Sequence, residues 1–353
     1  MMKNTSVLSI GKRSIGAGQP CFVIAEAGVN HNGCPERALQ LVDCAADAGA
    51  DAVKFQTFRA TRIATDSAEQ AAYQRKNLGR QESQLDMLRR LELSPEDHWA
   101  LMQHCRERGI LFMSTPFDEQ SADELGDLGV EVYKIPSGEM TNLPFLQHVA
   151  RLDRPLIVST GMCRLGEVEE AVQAIEAVDH CGFVLLHCVS NYPADPADVN
   201  LRAMATMGAA FDCPIGYSDH TMGIDVSLAA VAMGACVLEK HFTLDRSLPG
   251  PDHKASLEPD ELRQLMTGIR RVEQALGDGV KRPSSAELET ARAARKSLVT
   301  VREIPAGTEL TPDLIALKRP GTGMPAAMKP WILHRCASTA LPAGHVLRLE
   351  DVA

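Results

Sequence analysis

The chain has 353 residues, of which 45% are hydrophobic and only 4% aromatic, and its formal net charge is -10. That length allows one large domain, or a barrel with a small appended module, around a mostly aliphatic core. The acidic balance and the lack of a basic run exclude nucleic acid as an expected partner, so an anionic ligand would need a local pocket of Lys and Arg. In chain order, eight short strand-like runs recur: Phe22–Ala27, Ala52–Thr57, Leu111–Thr115, Val132–Ser137, Leu156–Thr160, Phe183–Ser190, Pro214–Asp219 and Val237–Thr243. Amphipathic helical patterns such as Pro35–Ala48 and Glu167–Val178 lie between them, and several close on glycine, as at Gly49 and Gly109. Nearly continuous apolar strands alternating with helices predict a parallel sheet. Eight such units predict an α/β fold, a closed (β/α)₈ barrel. An open doubly wound sheet would need a Gly-rich phosphate turn after the first strand, and Glu26-Ala27-Gly28-Val29-Asn30 is not one.

The barrel pattern fades near Gly277-Asp278-Gly279. The expected division is a barrel over 1–280, a linker over 281–295 holding a charged helix Ala286–Arg295, and a small mainly β module over 296–353. Within that module, turns at Pro305-Ala306-Gly307 and Pro342-Ala343-Gly344 suggest weak internal pseudo-symmetry. The ten cysteines are scattered singly, with no CxxC pair. They read as reduced thiols of a cytoplasmic protein rather than a disulfide framework. No apolar run reaches the length of a signal peptide or a membrane span, so no membrane partner is expected.

Chemistry in a (β/α)₈ barrel gathers at the C-terminal ends of its strands. There the sequence places Glu26, Lys54 with Gln56, Thr115, Lys134 with Ser137, Ser159, Ser190, Ser218 with His220, and His241. Residues two apart on a strand share a face, so Ser218 and His220 point one way, as do Glu239 and His241 on the next strand. Two imidazoles on adjacent strand ends could hold a divalent metal, or could be core histidines bonded to backbone. Lys54 and Lys134 end apolar strands, where a lysine is rarely buried unpaired. Glu26 and Glu139 are the expected partners if the lysines form structural ion pairs. Alternatively, the two lysines and the hydroxyls of Thr115, Ser137, Ser159, Ser190 and Ser218 surround a phosphate and a carboxylate. A Schiff-base lysine is a competing reading. Ser218-Asp219-His220 is not a hydrolase triad, because Asp219 faces away from its neighbours on a strand, and the adjacent His187 and Cys188 are likewise opposed.

Several blocks together resemble the sialic acid synthases: Ile24-Ala25-Glu26-Ala27-Gly28-Val29-Asn30-His31-Asn32-Gly33, Val53-Lys54-Phe55-Gln56-Thr57, Tyr133–Glu139, Gly216–His220, Glu239–Thr243, Pro249–His253 and Lys318-Arg319-Pro320-Gly321. The resemblance spans nearly the whole chain and includes a C-terminal antifreeze-like (SAF) module. It implies a (β/α)₈ barrel plus SAF module, paired as a domain-swapped homodimer, that condenses phosphoenolpyruvate (PEP) with an N-acyl hexosamine aldehyde and releases phosphate. It implies that Lys54, Thr115, Lys134, Ser137, Ser159, Ser190 and Ser218 hold PEP, and that His220 and His241 ligate Mn²⁺ or Mg²⁺. It further implies that Gln56, Glu139, Tyr192 and Asp252 meet the sugar, and that Arg319 reaches the partner subunit's site. Where some members carry Asn after the sixth strand, this chain has Ser190 followed by Asn191.

On that reading Glu26 stabilises positive charge at PEP C2 or deprotonates the attacking water. The sugar expected first is N-acetylmannosamine, giving N-acetylneuraminate. The alternatives are a 2,4-diacetamido-trideoxymannose, giving N,N'-diacetyllegionaminate, and its altro isomer, giving pseudaminate. A PEP-condensing enzyme acting on a phosphosugar, and a non-catalytic sugar-binding barrel, are the rival functions; the second would be expected to have lost the lysines or histidines.

Overall fold

The computed structural model describes residues 7–79 and 82–353. The chain divides into two compact units, Met1–Gly277 and Asp278–Ala353. The first begins with an antiparallel hairpin, β1 (Leu8–Ile10) and β2 (Arg13–Ile15), joined at Gly11. Eight parallel strands follow: β3 (Phe22–Gly28), β4 (Ala52–Thr57), β5 (Leu111–Pro116), β6 (Tyr133–Ile135), β7 (Leu156–Ser159), β8 (Phe183–Cys188), β9 (Ile215–Asp219) and β10 (Val237–His241). They form one sheet in the order β5-β4-β3-β10-β9-β8-β7-β6. The first and last strands, β5 and β6, lie beside each other, so the sheet curls into a nearly closed barrel. Helices separate the strands, as the alternation predicts.

Local chemistry sets the helix ends. Helix Pro35–Ala48 starts with proline at its first turn, where the missing N–H costs nothing, and stops at Gly49, whose φ of 80° a side chain would resist. Helix Pro95–Arg108 starts on Ser94, which accepts from Asp97 N while Asp97 returns a bond to Ser94 N.

Alternation along the strands divides the core in two. Outward side chains such as Val23, Phe55, Leu185 and Leu238 pack with Leu41, Leu101 and Leu262 of the helices. Inward side chains such as Phe22, Ile24, Met113, Val184 and Leu186 form a separate apolar cluster with Leu8, Ile10 and Ile15 of the hairpin. The hairpin therefore stops the floor of the barrel. Its three-residue strands are too short to leave a periodic signal, and the sequence did not reveal them. Toward the C-terminal ends the inward positions turn polar.

Four strands end earlier than their apolar runs suggest, β7 by a single residue, at Ser159. At β6, Pro136 has no N–H for the ladder, and Ser137–Glu139 turns into a 3₁₀ helix. Ser190 lies past the end of β8, and Phe242 and Thr243 lie past β10. In β3 the register shifts between Glu26 and Gly28, a bulge of the kind that re-aims side chains at barrel rims.

The second unit has its own core, including Leu298, Ile304, Leu310, Ile315, Leu341 and Leu347. An antiparallel ladder of β11 (Ser297–Thr300) and β12 (Ile315–Lys318) anchors it, with single bridges such as Ile304 to Leu341. Gly307 and Gly344 take φ of 79° and 80° in the two Pro-Ala-Gly turns. Helix Ser285–Ala294 belongs to this unit. Among the described residues no helix is long and apolar enough to cross a membrane, and all ten cysteines are free thiols.

Candidate functional site

The polar ends of β3, β4, β5, β6, β7, β9 and β10 converge. Lys54 Nζ lies 2.7 Å from Glu26 Oε2, 2.8 Å from Thr115 Oγ1 and 3.6 Å from Glu239 Oε2. Lys134 Nζ donates to Ser159 Oγ at 2.7 Å and lies 3.7 Å from Glu239 Oε1. Ser218 Oγ donates to the same Glu239 oxygen at 2.8 Å. Glu26, Lys54, Lys134 and Glu239 are all at most 4% exposed. Strand pairing explains the assembly: Glu26 sits opposite both Lys54 and His241, and Glu239 opposite Ser218.

Burial separates the two carboxyls. Desolvation pushes Glu26 up to about 7, against the pull of Lys54. Burial also opposes ionisation of Glu239, but Lys134 and Lys54 more than offset it and hold the group at about 2. The site thus has one carboxyl able to exchange a proton near neutrality and one fixed negative charge, a division typical of acid–base sites.

Above this cluster stand the two imidazoles, with ring centroids 5.5 Å apart. His220 Nδ1 lies 2.6 Å from the Val189 carbonyl, which can only accept, so that nitrogen carries a proton and Nε2 faces away from the bond. His241 Nδ1 is buried without a hydrogen-bond partner. Burial, reinforced by His220 and Lys54, holds His241 well below the usual histidine range and keeps it neutral, the form that ligates metals. Among the described residues no group of three or more His, Cys, Asp or Glu side chains is arranged to hold a metal. Two imidazoles, one with an orphaned nitrogen, still fit a divalent ion that takes its other ligands from substrate and water.

Around the imidazoles, the Tyr192 ring lies tilted by 33° over His220 at 4.0 Å and meets His241 edge-on at 5.5 Å. Asp252 is buried, and desolvation lifts its carboxyl to about 6. Cys188 Sγ lies 3.8 Å from His220 Nδ1 and 3.6 Å from Ser137 Oγ. Burial alone would raise this thiol and lower the imidazole; their contact reverses both shifts. Glycine is required twice here. At Gly28, φ is 52° and an added Cβ would lie 3.2–3.5 Å from Glu26, His241 and Gln56. At Gly161 a Cβ would sit 2.2 Å from Ser190 Oγ and 2.7 Å from Ser137 Oγ, so both serine side chains would have to turn out of their places in the site.

The expected site residues therefore gather unequally. Glu26, Lys54, Thr115, Lys134, Ser159, Ser218, His220 and His241 share the barrel mouth, with Gln56, Ser137, Ser190 and Tyr192 at its rim. Glu139 pairs with neither lysine; it accepts from Asn142 Nδ2 at 2.7 Å. Its place as a lysine partner is taken by Glu239, for which the sequence supplied only a face shared with His241. Arg319 lies in the second unit, where its Nε donates to the Ala294 carbonyl at 3.0 Å. Asp219 points away from His220 to Lys240, as strand alternation requires. Cys188 was legible as an inward residue but carried no chemical signal of its own.

A parallel barrel with lysines, paired carboxyls and imidazoles at its C-terminal mouth is the architecture of an enzyme acting on small anionic substrates. Residues 41–281 match the NeuB family model and residues 295–330 the SAF domain model. The chain is 48% identical over 348 residues to N,N'-diacetyllegionaminic acid synthase of Legionella pneumophila, covering 97% of both chains. It is 49% identical over 307 residues to the enzyme of the same name from Campylobacter jejuni, covering 86% of this chain and 92% of that one. Among solved structures it is similar to an N-acetylneuraminic acid (sialic acid) synthetase from Leptospira borgpetersenii in complex with citrate, with a TM-score of 0.72, 36% identity, and coverage of 81% of this chain and 95% of that one. The chain belongs to the NeuB family of sialic acid synthases, with a C-terminal SAF domain, and is an enzyme.

Proposed function

We propose that the chain condenses PEP with the aldehyde form of a 2,4-diacetamido-2,4,6-trideoxymannose, giving N,N'-diacetyllegionaminate and phosphate. The observation that carries this reading is near-half identity, across 97% of both chains, to a synthase of that name. N-acetylmannosamine, the sugar expected first from sequence, gives way to the alternative on that ground.

The residues divide the work. Lys54 and Lys134, with Thr115, Ser137, Ser159 and Ser218, bind the phosphate and carboxylate of PEP; Ser190 at the rim joins them. Glu239 holds the two ammonium groups by long contacts of 3.6 and 3.7 Å, which an incoming anion can replace. Gln56, Glu139, Tyr192 and Asp252 orient the sugar so that its aldehyde carbon meets PEP C3. A C–C bond forms there as the PEP double bond and the aldehyde C=O π bond are consumed, the carbonyl oxygen becoming a hydroxyl with one of the two protons that water brings to the reaction. Water adds at C2 and Glu26 takes its proton, a role suited to a carboxyl near 7. The C2–O bond to phosphate then breaks, and phosphate leaves toward the lysines. His220 and His241 would hold a Mn²⁺ or Mg²⁺ ion, which supplies Lewis-acid polarisation of the aldehyde when bound. The proposal includes a cytoplasmic, domain-swapped homodimer in which Arg319 serves the partner's sugar site. Mixing inactive Arg319→Ala with inactive Lys54→Ala protein would then restore activity through hybrid dimers; no recovery would remove that role.

The test is phosphate release from PEP by EDTA-stripped protein given Mn²⁺, with both sugars in parallel. Metal-dependent release favouring the trideoxy sugar by about tenfold or more in kcat/KM is expected. Release with N-acetylmannosamine alone reverses the substrate assignment, and release without added metal removes the ion from the mechanism.

A further inference from the structure

Between β4 and helix Pro95–Arg108 the chain leaves the barrel wall. It forms three short helices, Ala60–Ile63, Ala72–Leu78 and Gln84–Arg89. This excursion has its own small core of Val29, Phe58, Met87 and Leu91, packed by Ile63 and Leu78. It is tied to the loop after β10: Asn77 Nδ2 donates to the Pro251 carbonyl at 2.6 Å, next to Asp252. From this anchored helix the half-buried Tyr73 stacks on Tyr192, with centroids 5.0 Å apart and planes at 29°. Tyr192 in turn covers His220 at 4.0 Å. Three rings thus run outward from the reacting centre in the order His220, Tyr192, Tyr73. Asp252, the residue after that anchored carbonyl, is buried.

We propose that Tyr73 is a specificity-determining residue, the outer wall of the sugar pocket, selecting an acceptor whose far end is apolar and amidated over one carrying free hydroxyls. This rests on the substrate class proposed above. The aldehyde carbon has to lie beside the imidazoles and the Lys54 cluster, so an open-chain hexose extends along the ring stack and places C4 to C6 near Tyr73 and Asp252. An aryl surface accepts a C6 methyl, whereas a C6 hydroxyl there loses water without gaining a partner. Asp252 supplies the acceptor for an amide N–H on C4. A stacked tyrosine has few rotamers to lose, so the wall stands before the sugar arrives.

The experiment compares wild type with Tyr73→Ala and Tyr73→Leu, measuring kcat/KM for 2,4-diacetamido-2,4,6-trideoxymannose and for N-acetylmannosamine, the KM for PEP, and Tm. The ratio of the two kcat/KM values should fall about tenfold or more in Tyr73→Ala and less in Tyr73→Leu, which keeps apolar bulk. The KM for PEP should stay within about twofold. A ratio unchanged in both folded variants overturns the proposal, as does equal loss on both sugars, the mark of a residue that merely braces Tyr192. If wild type prefers the trideoxy sugar and the ratio does not move, only the role of Tyr73 falls. If wild type uses N-acetylmannosamine alone, the substrate reading falls and takes this inference with it.

Discussion

Two buried groupings of lysine with carboxylate lie on opposite faces of the barrel wall and meet at β10, where Glu239 faces Lys54 and Lys134 and the next residue, Lys240, faces Asp219. On the helix side, Asp219 and Lys240 pair at 2.9 Å with both side chains wholly buried. Asp219 also accepts from Thr221 N and Oγ1 at 2.8 Å, from Ser227 Oγ and from Tyr217 OH at 3.2 Å, while Lys240 donates to the Thr221 carbonyl. On the barrel side, Lys54 is held by Glu26 at 2.7 Å and Thr115 at 2.8 Å and Lys134 by Ser159 at 2.7 Å, yet Glu239 reaches both lysines only at 3.6 and 3.7 Å, and its Oε2 and His241 Nδ1 have no hydrogen-bond partner. The same residue types thus form a saturated network on one face and an underused one on the other. Saturation marks the pair that holds the fold, and spare bonding capacity marks the groups that await a ligand.

The comparison can be broken most strongly from the saturated side. Lys240→Met should leave Asp219 as an unpaired buried charge and destabilise the protein by about 3–5 kcal/mol, seen in denaturant unfolding, while the remaining folded molecules keep their turnover. Lys54→Met or Lys134→Met should do the reverse. Phosphate release should fall roughly 10²–10³-fold, with a smaller loss of stability than in Lys240→Met because Glu239 keeps its other lysine. Between these extremes, PEP at about a hundred times its Kd should stabilise the wild type by about 2.7 kcal/mol in a thermal-shift series. That gain should vanish in Lys134→Met and survive in Lys240→Met. The smallest effect is expected from Tyr217→Phe, which removes one of several donors to Asp219; a loss of about 1 kcal/mol would show that the network shares its load. If Lys240→Met proved as stable as wild type, or the inner substitutions unfolded the protein, the distinction would collapse.

Much of this architecture is legible in the sequence. Apolar runs of strand length, alternating with glycine-closed helices, fix a parallel sheet. Alternation alone puts Lys54, Lys134, His220 and His241 on one inner surface and Asp219 on the other. What escaped the sequence depends on distance across the barrel. Glu139 and Glu239 are equally plausible lysine partners on paper; Pro136 ends β6 early and turns Glu139 away, whereas β10 delivers Glu239 between the two lysines. Tyr73 sits in an irregular excursion whose fold depends on Met87, Leu91 and a carbonyl at Pro251, so no local pattern announces it.

The hairpin β1–β2 has a kinetic consequence. With Leu8, Ile10 and Ile15 wedged into the floor, the barrel is a shaft open at one end. On the proposed reaction both reactants would enter by the one mouth, which Tyr192 and Tyr73 flank, and PEP would lie deeper, at the buried Lys54 and Lys134. Whatever binds there has to enter before the sugar closes the way above it. Traffic in such a shaft should be ordered, PEP first and sugar second, with a sugar bound alone acting as a cork. Steady-state rates should therefore show substrate inhibition by sugar that saturating PEP relieves.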